Sequence, residues 1–401
     1  MNHDVCIIGG GPVGLSAALA LARQGRSVVL LEARDLAVVE PQAMDARSIA
    51  LSLSSQRIFE ALDLWDDLRP NCAPIRHIHV SSAGHLGATR LHAEELGLDA
   101  MGQVIEYHLL QQTLLVEAER ERAIELRFPA SVETVHPYHD RVVIDTRIDG
   151  HPQPVEARLL LLADGGQSSL AEPLGLQRQQ QPYGQTAIVA NLRAEQDGEG
   201  WAWERFTADG PMAWLPLTRG RYALVWTLPP QQAESMLQAS DAVFIEALHR
   251  RFGYRLGRLL EVGRRGHFEL ALRRARPLTG PRWVLIGNAA NALHPVAGQG
   301  FNLALRDVAA LNDSLQGRNL SEPLEDLLAD HARRRAPDQE HTIRWGNRLV
   351  TLFSNDLPLL GHARAAALGL LEHCSPLKKE LAWQGMGFGA DGLSGLMRGR
   401  P

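Results

Sequence analysis

Three cysteines in 401 residues, Cys6, Cys72 and Cys374, stand far apart, with no C-x-x-C pair and no disulfide-scaffold spacing. A zinc knuckle and a cross-linked secreted domain are therefore excluded, and a reducing, cytoplasmic setting is expected. Long apolar runs are missing too: Arg, Glu or Gly interrupts every stretch before the roughly 20 residues needed to cross a bilayer. The N-terminus has no basic stretch followed by a long apolar core, so no signal peptide is expected. A basic excess is absent: 41 Lys and Arg face 46 Asp and Glu, for a net charge of −5, which argues against nucleic acid and for a small-molecule ligand. No G-x-S-x-G is present, and the 16 histidines, His77 and His79 among them, lack accompanying carboxylates or cysteines in a ligand pattern. Neither a serine hydrolase nor a metal site is expected.

What is present is 45% hydrophobic composition, enough for a full core in two or three domains. Asp4 to Ile8 reads as a short buried strand that enters Gly9, Gly11 and Gly14, a G-x-G-x-x-G turn, and Leu15 to Arg23 continues without helix breakers. A second strand, Ser27 to Leu31, ends at Glu32, 18 residues past Gly14. Strand, glycine turn, helix, strand and acid form the complete dinucleotide unit: Gly9 for the tight turn, Gly11 for approach of a pyrophosphate, Gly14 for helix packing, and Glu32 for an adenosine ribose. Nothing in this unit separates FAD from NAD.

Two later segments share that character. Arg158 to Ala163 is an almost continuous apolar run leading into Asp164-Gly165-Gly166 and Ser168, as expected of a buried parallel strand with an acid at its carboxyl end. Trp283 to Ile286 leads into Gly287-Asn288, and then, after His294-Pro295, into Gly298-Gln299-Gly300-Phe301-Asn302 at the start of a helix that carries Asp307. Glycines there permit close backbone approach, and the first amides of the helix can face an electron-rich ring edge or a phosphate.

Between these segments, Gln185 to Pro229 alternates as TAIVANL, GWAWERFT, GPMAWLPLT and GRYALVWTLPP with turn residues between, the pattern of an antiparallel sheet. Trp201 and Trp203 share a face, and with Trp214 and Trp226 they are expected to wall a ligand surface. Beyond residue 330 the chain turns basic, ten Lys and Arg against six Asp and Glu over 331–401. Apolar stretches at 349–353 and 357–371 there have helical length and are expected to pack on the body or lie on a lipid surface.

Taken together, GGGPVG, ADGGQSS and GNAANALHPVAGQGFNLALRD resemble, in order and spacing, the three flavin signatures of the aromatic hydroxylases typified by para-hydroxybenzoate hydroxylase. DARSIALS at 45–52, GQVIEYHLLQQTLL at 102–115 and LHPVAGQGFNL at 293–303 look most like the ubiquinone-biosynthesis branch, the 2-polyprenyl-6-methoxyphenol hydroxylases. The resemblance covers residues 1 to about 350. It implies an α/β fold: a Rossmann-like FAD-binding domain over 1–72, 102–183 and 271–345, an inserted antiparallel-sheet substrate domain over 73–101 and 184–270, and a helical C-terminal region over 346–401. It implies FAD, with NADPH or NADH as co-substrate, no second G-x-G-x-x-G being present for the nicotinamide.

Carried over residue by residue, the resemblance implies that Gly9, Gly11, Gly14 and Glu32 hold the ADP half of FAD. Asp164, Gly287 and Asn288 flank the ribityl and pyrophosphate, and Arg47, His108 and Gln112 are further contacts. Pro295, Gly298, Gln299, Gly300, Phe301 and Asn302 lie along the flavin ring, so that catalysis rests on this loop without an obligatory acid or base side chain. The sequence departs from the wider family in carrying Asn288 and Asn291 where Asp and His are usual, and Ala171 where an Arg often follows the central motif. The implied reaction is hydroxylation of a polyprenylated phenol with NAD(P)H and O2. Implied partners are the inner face of a membrane, a ubiquinone-biosynthesis complex and a second copy of the chain, and no nucleic acid. The alternatives are another flavin reaction on this fold or a catalytically silent flavin-binding scaffold. The W-x-W-x-I-P of flavin halogenases is not matched, because Glu204-Arg205 follows Trp203.

Overall fold

The computed structural model describes residues 2–36, 47–166, 170–294, 298–353, 358–388 and 395–397. Its first sheet is built on five parallel strands in the spatial order Trp283–Leu285, Val155–Leu162, Asn2–Ile8, Val28–Leu31 and Ile124–Arg127. These runs are apolar at successive positions because both faces are covered. Val5, Ile7, Leu30, Leu159 and Leu161 pack beneath helices Pro12–Ala22, Tyr107–Arg120 and Gln299–Leu315. Cys6, Ile8, Val29, Leu31, Leu160 and Leu162 meet the antiparallel strands Ala130–Pro137 and Val142–Ile148 on the other side. Register aligns the carboxyl ends: Ile8 is level with Leu162 and Leu31, and Leu162 with Leu285. Four loops far apart in sequence therefore emerge side by side at one edge.

The second large sheet runs Asn291–Ala292, Gly266–Arg276, Gln177–Ala194, Arg221–Leu228, Gly210–Leu217, Trp201–Thr207, His77–Ser82 and Ala88–His92. Its pairings are antiparallel except that Trp201–Thr207 lies parallel to His77–Ser82, since the chain reaches that edge through an early excursion from the first domain rather than through a hairpin. Gln177–Ala194 and Gly266–Arg276 are long strands of this one sheet, paired with each other across the boundaries expected at 184 and 270.

The tryptophans correct one expectation. Trp203, Trp214, Tyr222 and Trp226 point away from the first domain and form a core with Phe244, Leu248 and Phe252 of helix Asp241–Phe252. The Trp214 ring stacks on Phe252 with centroids 4.6 Å apart, and Trp226 meets Phe244 edge-on at 5.7 Å. An indole buries more apolar area than any other side chain, and here it is spent beneath this helix. The inner face of the sheet is instead carried by Ala202, Leu215, Leu217 and Ala223, which pack on Ile75 and Val104 of a small three-stranded sheet.

Helices Glu325–Phe353, Pro358–His373 and Ser375–Gly385 complete the chain. The first is fastened to Gln299–Leu315 by a buried ionic lattice: Arg306 with Asp338, and Arg335 with both Asp307 and Asp338. Asp307 thus lies in this lattice. The second rests on the hairpin of the outer strands, where Thr89 Oγ1 donates to the Leu368 carbonyl at 2.6 Å and Arg90 pairs with Glu372. Among the described residues no helix is long and apolar enough to cross a membrane.

Candidate cofactor site

The glycine loop is held by its own geometry. Gly9 has φ +114°, and a Cβ there would lie 2.5 Å from the Ala163 carbonyl oxygen at the end of the neighbouring strand. A Cβ on Gly14 would lie 1.9 Å from the Gly9 carbonyl oxygen. Both positions demand glycine for packing within the protein. Gly11 differs: the nearest atom to a Cβ would be Tyr107 Oη at 3.5 Å, an ordinary contact. Its open side faces the space above the first turn of helix Pro12–Ala22, where free amides and the helix dipole favour a phosphate.

Glu32 sits at the end of its strand and is buried. One carboxylate oxygen accepts from the Gly10 amide at 2.7 Å, and the other from the Arg34 amide at 3.0 Å and its Nε at 3.2 Å. Arg47 is exposed, with its guanidinium carbon 4.2 Å from the Tyr107 ring centroid, and its carbonyl accepts from the Tyr107 amide. Burial raises the Tyr107 phenol above its ordinary pKa although Arg47 and Arg34 oppose the shift, so it stays a neutral hydroxyl beside the glycine loop at neutral pH.

Helix Tyr107–Arg120 presents one of its two adjacent glutamines here. Gln111, one turn after Tyr107, donates from Nε2 to the Gly10 carbonyl at 2.9 Å. Gln112 is exposed, and His108 is half-buried on the first turn. Gln111, Tyr107 and Arg34 are residues the sequence reading passed over. The i, i+4 spacing of 107 and 111 could have found the first two, once the helix start was known.

The other two signatures come in beside this loop. Asp164 accepts from the Gly166 amide at 2.9 Å, and a Cβ on Gly166 would lie 3.4 Å from the Asn288 carbonyl oxygen. Gly287, at φ +64°, would place a Cβ 3.3 Å from Val13 on the first helix. Asn288 is exposed at the edge. Asn291 is buried, and its Oδ1 accepts from Arg276.

Gly298, at φ +61°, caps helix Gln299–Leu315, and nothing lies within 4 Å of a Cβ on Gly300. The amides that open this helix therefore have backbone on one side and open space on the other. The Asn302 side chain is occupied within the protein. Its Oδ1 accepts from the Ser52 amide and Ser55 Oγ, and its Nδ2 donates to the Ala50 and Gly298 carbonyls, all within 2.7–2.9 Å. That employs the carboxamide's two N–H groups and both lone pairs, so Asn302 staples the 48–55 segment to the loop. Phe301 leans on Phe59, and Gln299 donates to the Gly385 carbonyl. Pro295 lies outside the described residues, as does Ser168.

A diphosphate and a ribose fit these donors and the Gly11 gap, and a flat ring fits the open side of Gly298 and Gly300. Glu106 and Arg221 fix the distance to the second sheet: two hydrogen bonds, at 2.6 and 2.9 Å, join the buried carboxylate to the guanidinium, and Asn191 adds a third to Glu106.

Comparison with known proteins agrees with this architecture. The model of the family described as FAD binding domain matches residues 2–345. The ubiquinone hydroxylase UbiL of Rhodospirillum rubrum is 37% identical over 388 residues, covering 96% of this chain and 89% of that protein. The 3-demethoxyubiquinol 3-hydroxylase of Escherichia coli is 30% identical over 390 residues, 96% of this chain and 98% of that one. The crystal structure of p-nitrophenol 4-monooxygenase PnpA from Pseudomonas putida superposes with a TM-score of 0.81 at 18% identity, over 98% of this chain and 99% of that one, and so shares the fold. With the three glycine-bearing loops at one sheet edge and a family match over most of its length, the chain belongs to the FAD-binding family of hydroxylases, and FAD is its cofactor.

Proposed function

We propose that the protein is a single-component aromatic-ring monooxygenase that uses NAD(P)H and O2 to hydroxylate a polyprenylated methoxyphenol in ubiquinone biosynthesis. The observation that carries this reading is the convergence of Gly9–Gly14, Asp164–Gly166, Gly287–Asn288 and Gly298–Gly300 at one edge, with an apolar sheet face standing over the last of them. Bound FAD supplies the redox chemistry, taking two electrons from the nicotinamide and using them to activate dioxygen.

The protein's own contributions are binding, orientation and exclusion of water. Gly9, Gly11, Gly14 and Glu32 would hold the ADP half, with Arg47 and Arg34 adding positive charge near the diphosphate. Asp164, Gly287 and Asn288 would flank the ribityl chain, and the amides following Gly298 would face the ring edge, where they stabilise negative charge on a reduced ring. Tyr183 and Phe206, with Val80 and Leu368, form an apolar cluster beside this region, which suits a phenol ring with an apolar tail. The curated relatives named for ubiquinone hydroxylation support this choice of substrate. Contact with the inner face of a membrane, where such a substrate resides, extends the same proposal. Exposed Leu370 and Leu377 on the C-terminal helices are consistent with it.

The test is the absorption spectrum of the purified protein, then nicotinamide oxidation with and without a prenylated methoxyphenol, with the product weighed. A flavin spectrum and a product heavier by one oxygen atom are expected. Flavin without phenol-stimulated oxidation would reject the hydroxylase in favour of a scaffold or another flavin reaction.

A further inference from the structure

Glu204 is an acid in an unusual place. It lies in strand Trp201–Thr207, level with Val80 on one side and Ala213 on the other. Alternation along the strand puts it on the face of Ala202 and Phe206, opposite Trp201, Trp203 and Arg205. Its nearest same-face neighbours on the adjoining strands are Ile78, Val80, Ala213 and Leu215. Among the described residues its carboxyl has no hydrogen bond and no ion pair, although the group is only part-exposed. A lone carboxyl on an apolar face is costly to keep, and no structural work offsets that cost here.

Its position relative to the flavin loop is fixed from two sides. Ala202, two residues before it, packs in one cluster with Ala50. A Cβ on Gly298 would lie 3.1 Å from the Ala50 Cβ. Phe206, two residues after it, packs with Tyr183, whose ring meets His294 edge-on at 5.1 Å. The carboxyl is thus bracketed by contacts to His294 and Gly298, the two described ends of the ring loop.

On the aromatic-hydroxylase reading, we infer that Glu204 is a catalytic residue that takes the hydroxyl proton of the substrate phenol held between this sheet face and the flavin loop. The phenol O–H bond breaks, a carboxyl O–H bond forms, and the electron pair stays on the phenolic oxygen. No electrons change owner. The phenolate is a stronger nucleophile at its ortho and para carbons toward the oxygen atom delivered from the flavin side, and Glu204 returns its proton to solvent before the next turnover. The carboxyl is suited to this exchange: burial alone pushes it up to about 7, near the value at which a base is half-available at neutral pH. Among the described residues, the other titratable groups on the elements packed here are Tyr183, raised by burial, His294, pushed down to about 4 by burial and so neutral, and, on helix Pro358–His373 against Val80 and Phe206, Glu372, which is paired with Arg90. Arg221 stands on the same face but is paired with Glu106. Arg205, His77 and His79 lie on the opposite face.

The experiment uses the FAD-loaded enzyme with a short-chain 2-prenylphenol and its methyl ether, measuring product and phenol-induced flavin difference spectra across pH 5.5 to 9. Wild-type kcat/KM is expected to rise through about pH 7, and Glu204→Gln to keep FAD and phenol binding but lose that limb and about 100-fold in kcat. Glu204→Asp is expected to restore the limb in part. The methyl ether, with no proton to give, should react slowly and without the limb even in the wild type. A Glu204→Gln enzyme within about twofold of wild type in kcat, with its limb intact, overturns the inference. So does a methyl ether hydroxylated as fast as the phenol, which decides the matter even if the variants do not fold. If the loaded wild type makes no hydroxylated product from any phenol, the functional reading itself fails.

Discussion

The carboxyl edge of the parallel sheet and the inner face of the second sheet achieve specificity in opposite ways. At the edge, on the proposed reading, recognition is written in backbone: glycines that leave room for a ligand or a neighbouring strand, and amides at two helix starts. On the sheet face it is written in which side chains alternate inward, and there the tryptophans point away while smaller apolar residues, Phe206 and one carboxyl point in. A backbone site tolerates little change at its glycines. A sheet face can change specificity by exchanging single side chains, which suits a fold used on many rings.

The sharpest way to break this comparison is Trp214→Ala. The outer-core position predicts a loss of about 3–5 kcal/mol in urea unfolding, with KM for the phenol within about twofold of wild type. A large KM change at retained stability would return the tryptophans to the substrate wall. At the edge, Gly14→Ala forces a Cβ against the Gly9 carbonyl and is expected to remove about 1–3 kcal/mol along with FAD. Gly11→Ala meets only Tyr107 at contact distance, so stability should stay within about 0.5 kcal/mol while FAD is lost on gel filtration. A Gly11→Ala protein that keeps its flavin would show that Gly11 does not touch the diphosphate.

Acid should probe the buried histidines on both sides of the loop helix. His294 and His331 are pushed down to about 4 by burial from an ordinary 6.5, so the unfolded chain binds more protons between those values. Their contribution makes stability fall as pH drops from 6.5 to 4, and it is flat above that window. His331→Gln should flatten the slope of melting temperature against pH. At the loop, Gln111→Ala removes one hydrogen bond to Gly10 and should cost about 1 kcal/mol, with weaker FAD retention, and the smallest expected effect is that of Gln112→Ala at the exposed neighbour, which should change neither.

That neighbouring pair shows where reading from sequence stops. In LLQQTLL either glutamine can face the glycine loop. The choice depends on where strand Gly102–Glu106 ends and the helix begins, and a shift of one residue turns the helix by about 100°. Asn302 is similar: its place beside the ring loop was legible, but its three bonds to the 48–55 segment depend on a chain portion about 250 residues earlier in sequence. The four tryptophans fell on one face, as period-two alternation requires, yet alternation does not say which face looks inward. Nothing in the sequence pairs Glu106, inside the 102–115 segment, with Arg221, which lies 115 residues later.

The sequence by itself determined the strands, the glycine turns and their order, because backbone geometry at Gly9 and Gly14 admits one residue type and buried parallel strands require unbroken apolar runs. Tertiary structure alone decided which face of the second sheet meets the flavin loop. Both faces of that sheet are apolar enough to bury, and only docking of helix Asp241–Phe252 on one side and of the small sheet, with the Glu106–Arg221 pair, on the other assigns the tryptophans to the core and Glu204 to the opposite face.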